Sequence, residues 1–180
     1  MAEHDSNPIG QAENTLKITK PPSPEILKKF STGKIQLSND LEINGEGQDR
    51  TLDIVLRSDD PPYADYIKDC KLFADLITTN NAMDRNQSVS DAVLDMMNSR
   101  KRMLKSQAVH YKLLRFMETS LAHLTEQLKN TPQGQSTQRL TVLSQIRDFN
   151  ELFEYTIYIA MKSTRIILPE QESEQGLSQG

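Results

Sequence analysis

The sequence predicts an all-α protein, a helical hairpin or bundle around one long coiled-coil helix of roughly 40 residues, with disordered termini and an N-terminal β-hairpin. Three observations predict it. From Ser88 to Lys129 there is neither glycine nor proline, so nothing interrupts a helix about 60 Å long. Within that run a 4,3 spacing of mostly apolar residues persists from Val89 to Leu128, the pattern of a coiled-coil seam. Pro61-Pro62, the stretch NTPQGQST and Pro169 punctuate the region into three helical segments.

Residues 1–33 read as an arm. Its first twenty positions lack periodicity and are polar, which predicts disorder. In PPSPEILKKF, Ser23 is placed to N-cap a short helix over 24–30 with Pro24 at its first position, and Ile26, Leu27 and Phe30 form a small apolar face. Residues 34–60 change period. Ile35, Leu37, Leu41 and Ile43 share one parity, as do Leu52, Ile54 and Leu56, and NGEGQD between them has turn composition. That predicts a β-hairpin.

Residues 61–168 form the helical domain, and 169–180 a disordered tail. The first helix, about 62–80, carries Tyr63, Tyr66, Cys70, Phe73 and Ile77 at spacings of three and four. The second spans about 88–129, with Ser88 as N-cap and Asp91 completing a capping-box variant. The third spans about 136–167 and presents two stripes. Val142, Leu143, Ile146, Phe149, Phe153, Ile157 and Ala160 form the main one; Leu152, Tyr155, Ile159 and Ile166 form an outer one. At about 45 Å the third helix is shorter than the second, so part of the second needs another partner.

The seam of the long helix runs through Val89, Val93, Met96, Arg100, Met103, Gln107, His110, Leu114, Met117, Leu121, Leu124 and Leu128. Arg100, Gln107 and His110 interrupt it with polarity near the middle, the kind of break that sets register. The stretch SRKRMLKSQAVHYKLLRF, residues 99–116, holds six of the 21 Lys and Arg residues and no acid, in a chain of net charge −4. At 100° per residue Lys101, Lys105, Lys112 and Arg115 lie within about 80° of one another on the back of the seam. They are the candidate contacts for an acidic partner or a nucleic acid. Leu94, Met97, Leu104 and Ala108 fall on that same back side, so the helix is apolar on two faces, as expected of a helix between neighbours.

Signs of chemistry are few. The histidines, His4, His110 and His123, are not at metal-ligand spacing with one another, with Cys70 or with a carboxylate, so neither a metal nor any other cofactor is expected. Phosphate-cradling glycine motifs and nucleophile motifs are missing from the sequence. The single cysteine, Cys70, precludes an internal disulfide and sits on an apolar stripe, where packing is its expected role. With no long apolar run at the N-terminus or elsewhere, neither a conventional signal peptide nor a transmembrane helix is expected, and the expected location is cytoplasmic. The basic cluster SRKRMLK leaves a nuclear location open.

The expected function is therefore a non-enzymatic interaction subunit, an assembly factor, scaffold, adaptor or chaperone-like component. It would act by burying the seam of the second helix and the outer stripe of the third, Leu152, Tyr155, Ile159 and Ile166, against a protein partner or a second copy. A nucleic-acid-associated regulator using the basic stripe is one alternative. A secreted or virion structural component with an uncleaved N-terminus is another.

Overall fold

A computed structural model of the chain describes residues 20–83 and 89–169. The expectations for the first nineteen residues, the Ser88 cap and the C-terminal tail lie outside the described residues. The elements are α1 (Pro24–Lys29), β1 (Ile35–Ser38), β2 (Leu41–Asn44), β3 (Thr51–Val55), α2 (Tyr63–Ala82), α3 (Asp91–Lys129), α4 (Ser136–Lys162) and β4 (Thr164–Ile167). A 3₁₀ turn, Gly47–Asp49, precedes β3. The protein is mostly helical with one long helix, but it is not all-α. A four-stranded sheet, ordered β1-β2-β3-β4, is the correction.

Contacts divide the chain into two compact units, with the boundary inside α3 between His110 and Tyr111. The unit containing the sheet comprises the described part of Leu16–Val55 together with Tyr111–Ile167. Its first predicted strand, KIQLSNDLEI, is in fact two. Ser38, Asn39 and Asp40 are turn formers, and the Asp40 N–H donates to Ser38 Oγ at 3.2 Å. The chain therefore folds back there, and β1 pairs antiparallel with β2, Ile35 facing Ile43. β2 pairs antiparallel with β3, Leu41 facing Ile54 and Ile43 facing Leu52. These four residues of β2 and β3 are almost fully buried, which is the alternation expected of a one-faced sheet.

The β2–β3 loop needs glycine at one position. Gly45 has φ +90°, and a Cβ there would stand 2.4 Å from the Asp49 carbonyl oxygen. No other residue type fits that approach without strain.

The fourth strand was not foreseen. α4 ends at Lys162, about a turn before the expected Ile167, because Ser163 turns extended, with φ −158° and ψ 124°. The following Thr-Arg-Ile-Ile is rich in β-branched residues, which favour a pleated surface over a helix end. β4 pairs parallel with β3, Leu52 facing Thr164 and Ile54 facing Ile166. The Leu52 N–H donates to the Ser163 carbonyl at 3.0 Å.

On the sheet's other face the pairs are polar. Asp53 is bound by Asn44 Nδ2 at 2.7 Å and by Arg165 through Nη2 and Nε at 2.8 and 3.2 Å. Glu42 pairs with Lys34. Asp53 and Arg165 are directly opposed on β3 and β4, where opposite charges suit each other, whereas Glu42 of β2 faces Asp53.

α4 packs on β3 and β4, and α1 packs on α4. Between the Tyr111–Lys129 part of α3 and α4, Phe116, Phe149 and Phe153 form a cluster with ring centroids 5.4, 5.8 and 6.3 Å apart. Arg139 Nη1 donates to the Thr131 carbonyl at 3.2 Å, just past α3, and to the Leu128 carbonyl at 3.5 Å, one of the acceptors left over at the end of that helix.

The other unit, Leu56–His110 in the main, contains α2 and the start of α3. Two contacts set their antiparallel register. Arg100 Nε donates to Asp69 Oδ2 at 2.7 Å, and the Val89 N–H donates to Asn80 Oδ1 at 2.7 Å. The same register puts Leu72 level with Met97 and Phe73 level with Met96. Phe73 is the buried residue of α2, and Leu104, Ala108 and Val109 are buried on α3.

Candidate interaction surfaces

Along residues 104–113 of α3, burial and the seam fall on different sides, whereas from Met117 to Leu128 the seam positions are among the less exposed ones. The buried positions are Leu104, Ala108, Val109, Lys112 and Leu113. Of the seam positions, Val93, Met96, His110 and Leu114 are exposed, Met96 by 74%. Val89, Met103, Met117, Leu121, Leu124 and Leu128 are half-buried. Of the polar interruptions, Arg100 is paired with Asp69, Gln107 is half-buried and engaged, and His110 is exposed. The chain's own packing therefore uses much of the face that the heptad count assigned to the back.

The basic stripe is divided by the same packing. Lys112 is only 6% exposed, and its Nζ donates to Asp40 Oδ2 at 2.8 Å, so the sheet unit holds this cation internally. Lys101 is exposed and Lys105 half-buried. Arg115 is exposed with its guanidinium carbon 5.8 Å from the Tyr111 ring centroid, a cation–π distance. Four cations in line on the sequence do not present four free charges.

The outer stripe of the third helix is largely covered. Tyr155 and Ile159 are buried, while Leu152 is half-buried. Ile166 belongs to β4, not to the helix, and is half-buried there. Tyr155 is covered from the N-terminal arm and the β2–β3 loop: the Phe30 ring lies 5.4 Å from its ring, and Arg50 Nε donates to its hydroxyl at 3.2 Å.

Arg50 is the residue that sequence reasoning missed. It is 2% exposed, and its guanidinium donates to the carbonyls of Phe30 and Gly45, both at 2.7 Å, and of Gly33. Among the described residues no carboxylate pairs with it. Neutral acceptors and the Tyr155 ring, 5.9 Å away, hold the charge. Its sequence context, QDRTLDIV, carries no sign of this, because every acceptor but one comes from another element.

In the α2–α3 unit, Tyr66 and Cys70 are neighbours one helical turn apart on α2. Burial pushes the Tyr66 hydroxyl up to about 12, with the neighbouring Cys70 adding to the rise. Burial also raises the Cys70 thiol, against an opposing pull from Lys101. A thiol held protonated is a poor nucleophile. Among the described residues no group of His, Cys, Asp or Glu could hold a metal ion, and no helix is long and apolar enough to cross a membrane. An open cleft of about 440 Å³ lies between the end of α3 and the start of α4, lined chiefly by uncharged residues such as Gln127, Thr131, Gln138 and Gln145.

No protein-family model, curated protein or solved structure matches the chain.

Proposed function

We propose that the protein is a non-enzymatic interaction subunit that works by burying helix faces against a protein partner. The observation that carries this reading is the apolar surface left open on the α2–α3 unit. Leu72 is 60% and Met96 74% exposed, and Ile77 and Val93 are also exposed. The Asn80–Val89 and Asp69–Arg100 contacts bring the exposed residues of the two helices to the same levels. Single exposed apolar side chains are ordinary; several on one short helix pair, two of them at heptad spacing, suit a covering helix.

The coiled-coil expectation is retained in this narrower form: the Val93–Met96 part of the seam faces a partner, and Met103 extends it. A cytoplasmic location fits such a role. The nucleic-acid reading is weaker, because the burial of Lys112 removes one of its four phosphate contacts.

The test is the mass of the full chain by size-exclusion light scattering, alone and after affinity capture, with Leu72→Asp and Met96→Asp combined. The native chain is expected in an assembly that the double variant loses at unchanged helicity. An unchanged mass in the variant overturns the proposal.

A further inference from the structure

Within the sheet unit, α4 keeps one stripe open along most of its length. At 100° per residue, Leu140, Leu143, Arg147, Glu154, Tyr158 and Met161 fall within about 60° of one another. Leu140 is 65% exposed, and Leu143, Arg147, Glu154 and Met161 are exposed too. Leu143, expected in the main apolar stripe of this helix, lies here instead. Tyr158 is half-buried, and its hydroxyl accepts from Lys162 Nζ at 3.1 Å. On one side of the stripe α1 reaches Glu151 and Tyr155. On the other, Phe149 and Phe153 meet Phe116 of α3. The two charges of the stripe have little use inside the chain. Arg147 Nη2 donates to Ser144 Oγ at 3.3 Å and its Nε lies 3.9 Å from Asp148, exposed contacts that solvent screens. Glu154 pairs with no cation among the described residues.

The stripe is complementary to itself when reversed. About a point between Asn150 and Glu151, Leu140 and Met161 stand at equal distances, as do Leu143 and Tyr158, and as do the opposite charges Arg147 and Glu154. We propose that this stripe is the contact between two copies of the chain, α4 lying antiparallel on α4 over about 33 Å of helix. A two-fold axis at that point brings each of the three pairs level, so Arg147 of each copy meets Glu154 of the other. A parallel pair would set Arg147 on Arg147 and Glu154 on Glu154, which like charges disfavour. At the axis Glu151 is already held by Lys29 of its own chain, so no bare carboxylates oppose each other there. A surface on which residue i fits j and j fits i is what an isologous contact requires. A helix of unrelated sequence would leave that symmetry without a use.

This contact goes beyond the proposed role of the α2–α3 surface and lies on a different helix, so the two can fail separately. The test follows the purified full chain by light scattering over a dilution series. The native chain is expected at twice the mass of one copy. Arg147→Glu and Glu154→Arg are each expected to weaken the dimer by about ten-fold or more at unchanged helicity, because like charges then meet twice. Mixed in equal amounts, the two variants are expected to regain the two-copy mass, since each supplies the charge that the other lacks. Both substitutions in one chain are expected to regain it as well. Mixing would not repair a folding defect. A native chain that stays single at every concentration overturns the proposal. So do single variants that pair as tightly as the native chain, or a mixture that stays single. The Leu72→Asp, Met96→Asp variant is expected to keep this dimer while losing its captured partner, which tells the two surfaces apart.

Discussion

Replacing Arg50 by methionine removes a guanidinium that is 2% exposed and makes four hydrogen bonds. The acceptors are neutral, so the loss is of hydrogen bonds and packing and not of a buried ion pair. At about 1 kcal/mol net for each bond, the expected cost is about 4 kcal/mol. That is a large part of the roughly 5–15 kcal/mol that holds a typical domain. Arg50→Lys keeps the charge but has a single nitrogen in place of a planar fork, and its ammonium cannot span the carbonyls of Phe30, Gly33 and Gly45 together. It should recover less than half of the loss. The assay is urea unfolding followed by far-ultraviolet circular dichroism, since the chain has no tryptophan. A loss below about 1 kcal/mol at unchanged slope would refute the reasoning, because bonds to a buried donor would then count for no more than exposed ones.

Gly45→Ala should cost about 2 kcal/mol by the same assay, because a positive φ and a Cβ 2.4 Å from the Asp49 oxygen strain the β2–β3 loop. Asp40→Ala removes the carboxylate 2.8 Å from the buried Lys112 ammonium, and should destabilise by about 3 kcal/mol, with the volume-matched Lys112→Met costing less. Alkali should destabilise the α2–α3 unit. The folded state holds the Tyr66 proton up to about pH 12 while the unfolded chain releases it near 10. That contribution is therefore full below pH 10 and disappears as pH rises from 10 to 12. The raised Cys70 thiol acts in the same direction, beginning near pH 9. Tyr66→Phe should flatten the 10–12 part of a circular-dichroism pH titration; an unchanged profile counts against the burial of that hydroxyl.

Much of the helical layout was legible because it depends on local pattern. The glycine- and proline-free run from Ser88 to Lys129 and the stripes of the flanking helices needed no knowledge of partners. The sheet was half legible. Alternation announced β2 and β3, but one shared parity hid the turn at Ser38–Asp40, and a helix-compatible stretch hid β4 until Ser163 broke the period. The packing of α1 on α4 was not legible at all. Its contacts join Phe30, Arg50 and Tyr155 across separations that no local signal reports. The outer stripe of the third helix read as a surface for a partner, and α1 and the β2–β3 loop now cover its centre.

The basic stretch 99–116 carries the same lesson one step further. Its regular 4,3 positions, from Met103 to Leu114, are half-buried or exposed, while the positions between them, Leu104, Ala108, Val109, Lys112 and Leu113, are buried. A chain that needed α3 only for its own packing would require an apolar pattern on the buried side alone. Intramolecular burial tolerates irregularity there, even a lysine, because a fixed acceptor, Asp40, can be placed to meet it. The 4,3 positions themselves are mixed: Gln107 is half-buried and His110 exposed in this stretch, while farther along Met117, Leu121, Leu124 and Leu128 are half-buried. Under the proposed function, a partner helix is expected along the exposed Val93 and Met96.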